Sequence, residues 1–274
     1  MIRGKKIQVI HTGHCEPTQT AAPEVRRCSG DWIRPTLCLA LVPAMIEQSC
    51  TRIVSVCRNN SNLFRNVVKR GGFVKKFSEP YKALLDSKVK FYATLGNHDQ
   101  PLQVNYENFN MNGKEYYRFK KGNVAFYSLN SNYMDKKQVQ WLEDELSRDT
   151  SEWKVCFFHH PPYSSAKKHG SDSQLRDVVE PIFVKYGVDV VLTGHDHVYE
   201  RIKPQKGIYY FVSGAGGQLR SGDVSDVSPL TEKSYDRDMH FMLFEVAGDQ
   251  MYFQAISRTG ETVDSGVIAR RRRS

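Results

Sequence analysis

Three strand-like apolar segments in this chain each run straight into a short polar cluster. Residues 89–95 lead into Gly96-Asn97-His98-Asp99, residues 153–158 into His159-His160-Pro161-Pro162-Tyr163, and residues 188–193 into Gly194-His195-Asp196-His197. Ligands of open α/β sheets bind beyond the carboxyl ends of strands. Three ends that each deliver imidazole, amide or carboxylate groups therefore imply convergence on one polar site. Glycine ahead of two of the clusters permits the sharp turn that aims the next side chain inward.

The residue types suit a metal centre. Neutral imidazoles bind zinc, iron or manganese, and an asparagine carbonyl is an acceptable hard ligand. Histidines two apart diverge in extended chain, but in a turn they reach different ions. Two ions roughly 3.5–4 Å apart clamp a phosphate and activate a water. A histidine next to a ligand, yet unbound, is suited to protonating a leaving oxygen. Other residues read more plainly. His160 reads as a surface or capped core histidine, Asp99 as the group that orients His98, and Asp196 as a solvent-facing or backbone-bonding turn residue. Gly214-Ala215-Gly216-Gly217 is a tight loop and no dinucleotide fingerprint, because no helix follows it.

From about Phe73 the chain alternates between strand-like and helix-like segments. Residues 115–119 and 124–129 alternate across Lys120-Lys121-Gly122-Asn123 and read as a hairpin. Residues 136–148 are helical, with Val139, Leu142 and Leu146 on one face. Residues 174–186 form a stronger helix with the stripe Leu175, Val178, Val179, Ile182, Phe183 and Tyr186; Ser171 or Asp172 caps its start, Gly187 its end, and Pro181 argues for a kink. Further strands are expected over 208–213, 240–246 and 251–256. The mixture implies an α/β sheet layered with helices.

Charge and cysteine are distributed unevenly. The formal charge is +9, but residues 1–74 carry +7, Arg270–Arg273 carry +4, and residues 75–269 carry −2. Five of the six cysteines (Cys15, Cys28, Cys38, Cys50, Cys57) precede residue 58, and no pair has CxxC spacing. The basic excess is thus confined to the ends. It has no interleaved aromatics, so nucleic acid is not an expected partner. The apolar run Pro35–Ile46 is too short to cross a bilayer, and no signal peptide is visible. A soluble protein is expected, in an unknown compartment.

The order GNHD, HHPPY, GHDHVYER resembles the calcineurin-like metallophosphoesterase superfamily. Within it, the text from about Phe73 to Ala269, including YATLGNHD and YYFVSGAGGQLR, resembles the purple (tartrate-resistant) acid phosphatase branch. The resemblance implies a four-layer αββα sandwich and a phosphomonoesterase acting on a small phosphorylated substrate. Its cofactors would be two metal ions, iron with zinc, manganese or iron. Carried over by motif, Asn97, His159 and His195 would bind the second metal and His197 the first. His98 would be the leaving-group acid and His169 the phosphate-contacting histidine, while metal-bound hydroxide attacks the ester.

Two earlier motifs of the family are missing: an aspartate ending the first strand, and a Gly-Asp whose carboxylate bridges the metals, with a tyrosine soon after. Lys6–Ile10 ends in His11-Thr12-Gly13-His14, and Gly30-Asp31-Trp32 has neither a preceding strand nor a nearby tyrosine. Without the bridging anion, two close dications lose the charge that screens their repulsion. Asn97, His159 and His195 could then still hold one ion, and activity is expected to be weak or absent. The chain accordingly divides into an atypical basic, Cys-rich segment 1–72, a metallophosphoesterase domain 73–269 and a basic tail 270–274. A shifted reading frame over roughly 10–70 would account for the charge, the cysteines and the missing motifs together. The rivals are a phosphodiesterase or nucleotidase of the same superfamily, and an inactive binding protein that keeps the fold.

Overall fold

A computed structural model describes residues 77–224 and 228–271, together with the backbone of 37–41. Asp31, His11, the first strand expected over Lys6–Ile10, and the reading-frame question lie outside the described residues.

Among the described residues, eleven strands form two sheets. The larger has the order β2-β3-β4-β5-β7-β6-β8: β2 (Tyr117–Lys121), β3 (Val124–Ser128), β4 (Trp153–Phe157), β5 (Val190–Thr193), β6 (Tyr199–Gln205), β7 (Ile208–Ser213) and β8 (Thr231–Tyr235). The smaller has the order β1-β9-β10-β11: β1 (Leu37–Leu41), β9 (His240–Ala247), β10 (Gln250–Ser257) and β11 (Thr262–Ala269). Strands β3, β4, β5 and β7 run parallel, and each is almost wholly buried. A parallel sheet covered on both faces demands this of its central strands, which is why 188–193 is nearly all apolar.

Each face of the large sheet has its own core. Helix α2 (Lys136–Arg148) and helix α3 (Ser173–Tyr186) lie on one face, where Leu142, Leu146, Val179 and Phe183 pack with Tyr127, Cys156, Val191 and Tyr210. On the other face Phe126, Phe157, Leu192 and Phe211 meet Met242, Phe244, Phe253 and Ile268 of the small sheet. The short α1 (Lys82–Asp86) adds Leu84 and Leu85 to this inter-sheet core. The described residues therefore give the helix and two sheet layers of the expected α/β sandwich. A buried carboxylate ties the sheets together: Asp264 of β11 accepts from Tyr199 (2.6 Å) and Arg201 (2.8 Å) of β6.

The hairpin β2–β3, both long helices and β7 form where the sequence places them. Asp135 caps α2 by accepting from Gln138 N, Asp172 caps α3 by accepting from Leu175 N, and Gly187 ends α3 in the left-handed conformation. Residues 89–95 differ from expectation. They are extended, with Phe91, Ala93 and Leu95 buried, but join no ladder among the described residues. Two of its carbonyls are met by side chains, Ala93 O accepting from Tyr117 Oη (2.6 Å) and Phe91 O from Asn110 (2.6 Å), while Ala93 N donates to Phe109 O (3.2 Å). The apolar run around Leu37–Leu41 pairs antiparallel with β9, as an edge strand. Among the described residues, no helix is long and apolar enough to cross a membrane. Arg271 of the basic tail donates to Lys206 O and Val188 O, so it is part of the fold.

His240, at the start of β9, is buried against Tyr199 and Ser213, and burial lowers its pKa to about 3. In the unfolded chain it would titrate near 6.5. Between those values the unfolded state binds the extra proton, so stability falls as pH drops from about 6.5 towards 3. His240→Gln is expected to flatten the pH dependence of unfolding free energy by up to about 1.4 kcal/mol per pH unit across that window. Urea titrations at pH 7, 6, 5 and 4 would measure the difference in slope; equal slopes would refute it.

Candidate functional site

Three neighbouring parallel strands carry the site. Their ladder continues past the strand ends, with Leu129 N donating to Phe157 O, Phe158 N to Leu192 O, and Gly194 N to His159 O (3.0 Å). This register brings Ser131 after β3, His159 and His160 after β4, and His195 after β5 to one rim.

The loop 96–99 lies against the same rim. Asn97 Oδ1 lies 2.9 Å from His159 Nε2, and His195 Nδ1 lies 2.9 Å from that same nitrogen. The His169 ring lies with its centroid 4.2 Å from that of His195. His159 is fully buried, His195 and His98 are half-buried, and His169 is exposed. Burial lowers the pKa of His159 well below the ordinary value, and neighbouring imidazoles add to the effect. His195 is brought down to about 3 by burial and then by the charges of His160 and His169. His98 is lowered by burial and by His169. These imidazoles are thus neutral around pH 7, the form that ligates metals.

The donor set fits a cation. His159 Nε2 carries at most one proton, yet faces both Asn97 Oδ1 and His195 Nδ1. Convergent lone pairs of this kind are what a metal ion would satisfy. His159, His160 and His195 each offer a ligand atom, all within 4.8 Å of one another. His197 is not in that group. It is buried, its Nδ1 has no hydrogen-bond partner, and burial followed by the Arg220 charge brings it down to about 4.

Several plain readings need correction. Of the two readings of His160, the capped histidine holds and the surface one does not: its Nδ1 and its backbone N both meet Ser131 Oγ at 3.0 Å, and its ring packs on His159 and His195. Asp99 closes its own turn, accepting from Gly96 N (2.8 Å) and Gln103 Nε2 (3.1 Å). Asp196 is not solvent-facing but fully buried, and burial pushes its pKa up to about 7. Ser164 Oγ lies 2.7 Å from Asp196 Oδ2 and 2.8 Å from Glu200 Oε2. One hydroxyl proton cannot serve both carboxylates at once, so the two compete for the Ser164 donor. Ser131, Ser164 and Glu200 were not singled out by sequence. The polar Asn130-Ser131-Asn132 after a strand is the available signal for the first, and the GHDHVYER motif contains Glu200; nothing local marks Ser164.

The turn 194–197 is held in strain. His195 has φ +64°, a left-handed conformation that costs a non-glycine residue about 1 kcal/mol. Gly214, at the end of β7, lies against it: a Cβ there would stand 2.0 Å from Asp196 O. Its backbone N donates to Val198 O (3.1 Å), so the two segments pack backbone to backbone.

The profile of the family described as calcineurin-like phosphoesterase matches residues 66–199. Purple acid phosphatase 23 of Arabidopsis thaliana is 30% identical over 192 residues, which are 59% of this chain and 41% of that protein. The chain thus spans under half the length of that relative. Two solved structures share the fold. A purple acid phosphatase from yellow lupin (Lupinus luteus) seeds has a TM-score of 0.55 at 19% identity, over 66% of this chain and 38% of its own. GAP50, an anchor in the inner membrane complex of Plasmodium, has a TM-score of 0.59 at 17% identity, over 87% and 90%. The fold and the matched residues 66–199, just under half of the chain, are those of a calcineurin-like metallophosphoesterase. The relatives it matches are purple acid phosphatases, so the matched segment is similar to that branch.

Proposed function

We propose that this chain is a metal-dependent phosphomonoesterase of the acid phosphatase type, with turnover reduced relative to a two-metal enzyme. The observation that carries the reading is the convergence of Asn97, His159 and His195 at 2.9 Å contacts on the carboxyl rim of adjacent parallel strands. Those three residues would hold one ion, while His197, a single imidazole with an unpartnered Nδ1, would hold a second only weakly. Iron with zinc, manganese or iron is the expected pair; such ions polarise a phosphoryl oxygen and lower the pKa of a bound water.

The protein's own groups do the rest. His98, half-buried and within the field of His169, would deliver a proton to the departing alkoxide. His169, exposed beside His195, would donate a hydrogen bond to the phosphoryl group. The reduced turnover rests on the missing aspartates, and on His197 standing outside the His159–His160–His195 group. GAP50, named as an anchor, shows the same fold in a protein so described. An inactive binding protein is therefore the alternative outcome of the test.

Elemental analysis of the purified chain, run beside assays of p-nitrophenyl phosphate and its bis ester, tests this. One ion per chain with slow monoester hydrolysis is expected. Two ions with fast turnover would refute the impairment, bis-ester preference would favour a diesterase, and no turnover at any metal loading would favour the binding protein.

A further inference from the structure

We propose that His160 is itself a metal ligand, so that the ion retained at this site is held by three imidazoles, those of His159, His160 and His195. The inference deepens the phosphoesterase reading above and rests on it for the chemistry such an ion would serve. The family resemblance gives His160 no role. Its ring centroid lies 4.5 Å from that of His159 and 4.7 Å from that of His195, and the latter two stand 4.7 Å apart. The triangle is nearly equilateral. Interplanar angles of 77°, 55° and 78° show that no two rings are stacked face to face. One nitrogen from each ring lies within 4.8 Å of the other two. Zinc–nitrogen bonds of about 2.0–2.1 Å set tetrahedral donors roughly 3.4 Å apart, a separation that a small turn of the His160 ring supplies.

Two features separate this arrangement from simple packing. The first is the anchor on His160. Ser131 Oγ meets its Nδ1 and its backbone N, both at 3.0 Å, which fixes the ring against the end of β3. His160 makes no other hydrogen bond among the described residues, so its Nε2 is left open. One ring nitrogen held by an outer oxygen and the other turned to the ion is the usual arrangement of a ligating histidine. The second feature is the donor set. Three imidazoles and the Asn97 carbonyl, 2.9 Å from His159 Nε2, make four donors, the number zinc takes. No carboxylate stands among them, so the set suits zinc better than manganese or magnesium, which favour oxygen-rich sites. It also needs no bridging anion, and so one ion can be kept where the aspartates of a two-metal centre are missing.

The probe is zinc alone, added to the metal-free full chain, with affinity read by chelator competition and ligands counted by X-ray absorption. Wild type is expected to show three imidazole nitrogens at about 2.0–2.1 Å from zinc, and His160→Gln two. Zinc affinity should fall about tenfold or more in H160Q, since even the outer partners of ligands contribute about that much. Ser131→Ala, which removes only the anchor, should weaken zinc by about tenfold while keeping three imidazoles. The wild-type count stands whether or not a variant folds, and two imidazoles there would overturn the proposal. A wild-type chain that binds no zinc, or unchanged affinity in H160Q, would also overturn it. A His160 that only packs would lower the melting temperature of the metal-free chain and leave the ligand count as it was; that result too sinks the idea. Hydrolysis of p-nitrophenyl phosphate is followed in parallel. Three imidazoles on zinc without turnover would refute the phosphatase reading and leave the three-imidazole centre standing; turnover with two imidazoles would do the reverse.

Discussion

His159→Ala is expected to abolish tight metal retention and to cut monoester turnover by about 100-fold or more. Outer partners of metal ligands already contribute roughly 10- to 100-fold to affinity or activity, so a residue at the centre of the donor set should exceed that. His159 is central in this sense: Asn97 and His195 both approach its Nε2 at 2.9 Å, and it also packs on His160. Its loss separates the loop 96–99 from the turn 194–197. The check is metal content by elemental analysis, together with the rise in melting temperature on adding metal. A ligand that binds only the folded state stabilises it in proportion to its affinity. Wild type should show such a rise and the variant none. A variant that keeps both metal and turnover would remove His159 from the centre.

Gly214→Ala is expected to damage both stability and the site, although residue 214 bears no side chain and is not a ligand. The added Cβ would lie 2.0 Å from Asp196 O, 2.9 Å from Asp196 C and 3.3 Å from Gly194 C. All three are backbone atoms, so no side chain can rotate away. Relief requires β7 to part from the turn that presents His195 and His197. Overpacking of this kind costs about 1–3 kcal/mol, and the strained φ of His195 leaves that turn little tolerance. Gly122→Ala provides the contrast. Gly122 sits in the hairpin turn with φ +56° and nothing within 4 Å, so alanine there should cost about 1 kcal/mol and leave metal affinity unchanged. Denaturant titrations and metal titrations of the two variants would distinguish them. Equal metal affinity in G214A and wild type would refute the backbone-contact argument.

Much of the fold is legible because its signals are local. The stripe from Leu175 to Tyr186, the Asp172 cap and Gly187 describe α3 without tertiary information, and β3, β4, β5 and β7 read as apolar runs. Residues 89–95 mislead for a physical reason. β-propensity reports fit to a pleated, half-buried surface, and this segment has that burial but satisfies its carbonyls through Tyr117 and Asn110. Strand β8, with its exposed Glu232 and Lys233, lacks an apolar pattern because it is an edge.

By itself the sequence determined which groups stand at strand ends. Three apolar runs closing in Asn97, His159 and His195 require only that strands be strands and that ligands gather at their carboxyl ends. The order of those strands in the sheet, and so the contacts between the ends, came only with tertiary structure. Pairing is set by packing between distant segments, and no local pattern encodes it. The same physics hid His160 behind Ser131, and Asp196 and Glu200 around one Ser164 hydroxyl. Each takes its meaning from a partner 29 or more residues away, brought close by the register of β3, β4 and β5 and by the loops above them.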